Sequence, residues 1–241
     1  MTRDMEAAER FYGSVLDWDF RPGSFGPGFR VALDDGLAVA GLSELATSWQ
    51  MPVSWSAYFR VDDADLAASR IRERGATMGV GPLRLGEGRA ALAADPSGAA
   101  FGLWEGDTLP HWEVGSGRAP AWLELRTRDA FAAAVFYGEV FEWADATGRC
   151  EVAYQYESNE VFVRAGGHTV AGLRGGGVEA APDPGVRPRW QVYFRVPDAE
   201  RAAKAALAAG GTVLAEPAPM SLGVAATLRD PDGALFSVLA A

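Results

Sequence analysis

The sequence predicts an α+β chain of two tandem modules, each reading βαβββ twice, with the opening strand of module one missing. The first observation behind this is an internal repeat. TRDMEAAERFYGSVLDW from Thr2 returns as TRDAFAAAVFYGEVFEW from Thr127, and VAGL at Val39 returns at Val170. WSAYFRVDDAD from Trp55 returns as WQVYFRVPDAE from Trp190, and DPSGAAFGL from Asp95 as DPDGALFSV from Asp230. The landmarks keep their order and their spacing grows only in loops, the signature of a duplicated unit. The second observation is the alternation of strand-like runs with two helical segments in each copy. The third is an asymmetry: PAWLELR, Pro120 to Arg126, stands before the second copy, and only Met1 stands before the first. The division is residues 1–107, a linker at 108–119, and residues 120–241, each module being of ordinary domain size.

In module two, Trp122 to Arg126 reads as a strand. A helix follows from Asp129, whose carboxylate caps the free amides ahead of apolar residues near i, i+3 and i+4. Strands are expected at Cys150 to Tyr156, Glu160 to Arg164 and His168 to Leu173. The loop GGGVEAAPDPGVRPR leads to the strand WQVYFRV. Asp198 caps an alanine-rich helix that stops at Gly210 and Gly211. Gly223 to Leu228 and Ala234 to Leu239 are two last strands, joined by the turn DPDG. Module one repeats the order without its opening strand. An open sheet edge is an aggregation liability. Of an open edge, an imported strand and a start assigned too far downstream, the last is the expectation.

With 241 residues, 49% hydrophobic and 22% charged, the chain has the composition of a soluble globular protein. No apolar run reaches the ~20 residues that span a bilayer, and no signal-peptide core follows Met1, so a cytoplasmic location is expected. A net charge of −10 argues against nucleic-acid and anionic-membrane partners. Cys150, the single cysteine, allows neither an internal disulfide nor a zinc ribbon and reads as a packing residue. His111 in the linker and His168 in a hairpin read as solvated loop residues. Asp62 and Asp63 read as helix caps. No GxGxxG, P-loop, GxSxG or HExxH motif occurs.

FYG-x-V-x-x-W after the first helix, YFRV-x-D before the second and DP-x-G-A before the last strand resemble the vicinal oxygen chelate superfamily. The closest likeness is to its two-module glyoxalase and bleomycin-resistance-like proteins. The resemblance covers almost the whole chain and implies curved mixed sheets that form cup-shaped cavities. Its members include metal-dependent lyases, dioxygenases and metal-free proteins that sequester drugs, so fold alone does not name the chemistry.

The resemblance also implies where a metal would sit. The first ligand position falls on Trp122, its module-one counterpart lying before Met1. The second falls on Ser56 and Gln191, and the third on Gly102 and Ser237. Only Gln191 carries a donor of any use, whereas a divalent ion needs several converging carboxylates, imidazoles or amides. The expectation is therefore no metal, no cofactor and no catalytic residue.

Side chains two apart on a strand share a face. If the ligand positions face the cups, so do Trp122, Glu124 and Arg126; Ser56, Tyr58 and Arg60; Gln191, Tyr193 and Arg195; Gly102 with Trp104; and Ser237 with Leu239. Ala57, Phe59, Val61, Val192, Phe194 and Val196 then pack under the helices. A cup at once aromatic and polar suits a small molecule. The expected ligand-binding set is Trp122, Glu124, Ser56, Tyr58, Gln191, Tyr193, Gly102, Trp104 and Ser237, with module two the tighter site. Trp18, Trp143, Trp55 and Trp190 recur at equivalent places and read as framework. Tyr58, Tyr193, Arg60 and Arg195 recur too and divide between framework and site, the arginines pairing with carboxylates such as Glu124.

The expected function is metal-free sequestration of a small aromatic or amphipathic molecule, an antibiotic or secondary metabolite, by a monomer or homodimer. The alternatives are an enzyme of this fold, a lyase, isomerase or oxygenase on a polyketide-like or small carbonyl substrate, and an interaction module without a small ligand. An enzyme would act through Glu124 or Tyr193, or through a metal held elsewhere.

Overall fold

Aspartates start the four helices among the described residues, three of them at caps the sequence predicts. In the computed structural model, α1 (Met5–Leu16) follows Asp4, whose carboxylate accepts from Ala7 N, and strands β1 (Asp19–Pro22), β2 (Phe29–Asp34) and β3 (Leu37–Ser43) come next. After β4 (Tyr58–Arg60), Asp63 caps α2 (Ala64–Glu73), leading to β5 (Thr77–Leu85), β6 (Gly88–Ala94) and β7 (Ala100–Glu105). The second copy gives β8 (Trp122–Arg126), α3 (Ala130–Phe141) capped by Asp129, β9 (Cys150–Gln155), β10 (Glu160–Ala165) and β11 (His168–Arg174). It closes with β12 (Arg189–Arg195), α4 (Ala199–Ala208) capped by Asp198, β13 (Thr212–Met220), β14 (Gly223–Arg229) and β15 (Leu235–Ala240).

The structure describes residues 1–48, 50–108, 114, 120, 122–143, 150–155, 160–165, 168–176 and 187–240. His111, most of the linker and the side chains of Cys150 and His168 lie outside the described residues. Among the described residues, no helix is long and apolar enough to cross a membrane.

Each βαβββ motif builds the same sheet, its first strand parallel to its last and the others antiparallel. The orders are β4-β7-β6-β5, β8-β11-β10-β9 and β12-β15-β14-β13. Among the described residues the opening motif has β1-β2-β3, one strand fewer, as the sequence predicts. β13 is a strand the sequence reading passed over. Pro217 and Pro219 lie inside it, and its pairing with β14 shifts register between Val213 and Ala215 and between Ala215 and Ala218. It is the last strand in its order, where a residue without an N–H is tolerated.

The chain divides into two compact units that do not follow the modules of the sequence. One comprises Met1–Trp55, Leu109–Trp122 and Val192–Ala241; the other comprises Ser56–Thr108 and Leu123–Gln191. Each unit therefore contains one half of each module.

The repeated motifs explain this partition. In the first unit Trp55 Nε1 donates to Tyr12 Oη at 2.9 Å, and Tyr12 donates to Asp230 Oδ2 at 2.8 Å. Asp230 Oδ1 accepts from Ala234 N at 2.7 Å. In the second unit Trp190 Nε1 donates to Tyr137 Oη at 2.9 Å and Tyr137 to Asp95 Oδ2 at 3.0 Å, while Asp95 Oδ1 accepts from Ser97 N and Ala99 N, both at 2.9 Å. The tyrosine of FYG, the tryptophan before YFRV and the aspartate of DP-x-G thus meet in one buried relay per unit. A buried polar group left without partners costs ~1–3 kcal/mol, so these three motifs constrain one another.

Aromatic packing surrounds each relay. Phe194 lies edge-on to Trp18 and Trp55 in one unit, and Phe59 edge-on to Trp190 in the other. Trp18, Trp143 and Trp190 are buried, and Trp55 packs against Tyr12, so all four recurrent tryptophans are framework. Ala57, Val61, Val192, Phe194 and Val196 are buried beneath the helices as alternation predicts, with Phe59 packed on the same core as Ala57. Ion pairs fasten the helices: Arg74 to Glu139 and Arg70 to Glu142 in the second unit, and Arg201 to Asp17 in the first.

Candidate functional site

In the second unit, the face of β4-β7-β6-β5 turned away from the core consists of two cross-strand rows. Tyr58 pairs with Gly102, Gly102 with Leu92, and Leu92 with Val80. Arg60 pairs with Trp104, Trp104 with Ala90, and Ala90 with Leu83. The rows stand two residues apart, about 7 Å, along β4, β7 and β6, and three apart on β5, where the register shifts between Val80 and Leu83. The opposite face carries Phe59, Leu103, Phe101 and Ala91, all packed in the core. β4 is only three residues long, so Ser56 stands just before the strand rather than within it.

Two glycines seat the aromatic rings of this face. A Cβ at Gly102 would fall 2.5 Å from Tyr58 Cγ, and one at Gly88 would fall 2.5 Å from Trp104 Cζ2. Both rings therefore lie against bare backbone. Trp104 is also held by its Nε1, which donates to the Asp107 carbonyl at 3.0 Å. Tyr58 remains 49% exposed and Leu83 52%, with Trp104 and Ser56 half-buried. The result is an open surface of rings and aliphatic groups with a guanidinium, Arg60, at its edge.

The positions expected in module two are shielded instead. Trp122, Tyr193 and Ser237 in the first unit, and Glu124 and Gln191 in the second, are all buried. Ser237 Oγ lies 3.1 Å from Thr227 Oγ1, sharing a hydrogen bond. Gln191 Oε1 accepts from Arg189 Nε at 3.0 Å, and Glu124 Oε1 from Arg126 Nε at 2.6 Å. Glu124 thus has an arginine partner two residues away on its own strand, a neighbour the sequence reading did not assign to it. Arg60, expected to pair with a carboxylate, pairs with none among the described residues.

The donor chemistry does not fit a divalent cation. At the third ligand position Gly102 offers no donor, and the Tyr58 ring fills the space a longer side chain would need. Ser56 contributes a hydroxyl, Trp122 an N–H with no lone pair, and the Gln191 oxygen is engaged by Arg189. Among the described residues, no three His, Cys, Asp or Glu side chains come together in a metal-holding group. On the helical side of the unit, a groove of about 570 Å³ lined by Glu73, Arg74, Pro96, Val135 and Glu139 contains none of the residues the sequence singled out.

Residues 1–103 match the glyoxalase/bleomycin resistance protein/dioxygenase superfamily and residues 122–239 match a glyoxalase-like domain. The chain belongs to this superfamily. Among its relatives is the CFP32 protein of Mycobacterium tuberculosis (strain CDC 1551 / Oshkosh), provisionally named a glyoxylase. It is 36% identical over 251 residues, covering 99% of this chain and 91% of the relative. The anthracycline biosynthesis protein DnrV of Streptomyces peucetius is 33% identical over 255 residues, covering 98% and 89%. Among solved structures, a catechol 2,3-dioxygenase aligns at a TM-score of 0.57 and 15% identity, over 99% of this chain and 84% of the other. The Mn(II)-bound glyoxalase of Novosphingobium aromaticivorans aligns at 0.56 and 14%, over 99% and 79%. At such identities these two structures share the fold alone.

Proposed function

We propose that this superfamily member binds a planar aromatic small molecule without a metal ion, on the open face formed by Tyr58, Trp104 and Leu83. Such a protein would sequester an antibiotic or secondary metabolite in the cytoplasm as a monomer or homodimer. The observation that carries the reading is the seating of two aromatic rings, Tyr58 on Gly102 and Trp104 on Gly88, along one face of the sheet. A fused polycyclic ligand offers an extended flat face to this surface. The Streptomyces relative named for anthracycline biosynthesis is consistent with a ligand of that shape.

Indole fluorescence tests this, with doxorubicin as the planar probe. Titration is expected to quench Trp104, and Trp104→Ala to weaken binding about tenfold through lost stacking and apolar area. Trp18→Ala is expected to lower stability and leave the affinity of the folded protein unchanged. Wild-type affinity in Trp104→Ala would refute the site. The biosynthetic name of that relative also favours a second reading, in which the bound molecule is transformed. Recovery of unaltered probe after prolonged incubation separates binding from turnover.

A further inference from the structure

Arg60 is the charged side chain among the eight that make up the two rows. It follows Tyr58 at the strand's alternate position and pairs in register with Trp104, and Phe59 between them packs in the core, so Arg60 shares the face of the two rings. It is exposed, and among the described residues it makes no ion pair, side-chain hydrogen bond or ring contact. Most other arginines close to this sheet are engaged: Arg89 with Asp65 and Glu105, Arg70 with Glu142, Arg74 with Glu139. In a chain of net charge −10, with 32 acidic against 22 basic residues, a cation left without a carboxylate beside an aromatic platform stands out.

We infer that Arg60 selects an anionic group on the aromatic ligand, so that the molecule bound is a planar aromatic acid carrying a carboxylate or an equivalent oxyanion beside its ring system. A guanidinium presents a planar fork of donors that matches a carboxylate with two parallel N–H···O bonds. Trp104 stands opposite Arg60 in register while its indole leans over Gly88 of β6, so a ring system that extends from the indole across β7 toward Tyr58 brings an edge substituent to Arg60 on β4. The acidic remainder of the protein repels such a ligand elsewhere, which confines it to this face. This inference rests on the proposed aromatic site and adds the charge of its ligand.

The test uses two probes of one shape, anthraquinone-2-carboxylate and anthraquinone-2-carboxamide, titrated calorimetrically into the wild-type protein, Arg60→Gln and Trp104→Ala. The wild type is expected to bind the carboxylate about fivefold more tightly than the amide at low salt, a modest factor because the pair is solvent-exposed. Added salt should erode the preference. Arg60→Gln, whose melting temperature checks the fold, should bind both probes equally and the amide as the wild type does. Trp104→Ala should weaken both probes together. Equal binding of the two probes by the wild type, or a preference that survives Arg60→Gln, overturns the role of Arg60 while leaving the aromatic site standing. Binding of neither probe, or binding indifferent to Trp104→Ala, overturns the aromatic site and this inference with it.

Discussion

Asp95→Ala is expected to cost about 3–5 kcal/mol of folding stability, a large share of what holds a domain together. The carboxylate accepts from Ser97 N, Ala99 N and the Tyr137 hydroxyl, and its removal strands all three donors in a buried setting. Denaturant melts followed by tryptophan fluorescence should show the loss as a lower midpoint with an unchanged slope. Asp230→Ala should act alike through Ala234 N and Tyr12. The same relays set the pH behaviour. Burial, reinforced by the adjacent Asp95 charge, holds the Tyr137 hydroxyl well above its usual range; burial and Asp230 do the same for Tyr12. The folded state then keeps a proton that the unfolded chain releases near pH 10, so stability is intact below that pH and falls above it. The slope is about 1.4 kcal/mol per pH unit for each tyrosine, and Tyr137→Phe should remove one such increment. Asp95 acts in the same sense, but in the acid range. Burial raises its carboxyl above the usual range, so the folded state takes up that proton first and mild acid is stabilising through this group. Alkaline sensitivity that Tyr137→Phe leaves unchanged would contradict the relay.

Gly102→Val is expected to weaken aromatic ligands about tenfold while lowering stability by less than ~1 kcal/mol. Its side chain must enter the space of the Tyr58 ring, which then leaves the sheet and takes one stacking surface with it. Tyr58 is half exposed and can rotate into solvent, so the fold is spared. Paired melting and doxorubicin titrations check both halves of the statement. A variant that binds as the wild type does would show that the seated ring is not part of the site.

The fold was largely legible because its signals are local or repeated. Asp63, Asp129 and Asp198 announce three of the helices, and two copies of FYG, YFRV and DP-x-G announce the duplication. β13 escaped because Pro217 and Pro219 erase a strand pattern that only its position at the end of a sheet makes tolerable. The relays escaped for another reason. Trp55, Tyr12 and Asp230 are far apart in the chain, and nothing in strand or helix periodicity joins them. At the site, alternation placed Tyr58, Arg60, Gly102 and Trp104 on one face, as found. Alternation does not say how deeply a face is covered, so Trp122 and Gln191 read from sequence as readily accessible as Tyr58 and proved buried. That Gly102 serves as the seat of a ring, as well as marking a lost ligand position, is visible only when the neighbouring strand is in place.

The most direct test of metal-free aromatic binding is calorimetric titration of doxorubicin into protein dialysed against a chelator, repeated after Mn(II), Zn(II), Fe(II) or Ni(II) is restored, with metal content measured in parallel. The account predicts one affinity in every condition and no stoichiometric metal. Binding that appears only after a metal is added, or a metal that stays with the protein in stoichiometric amount, would contradict it.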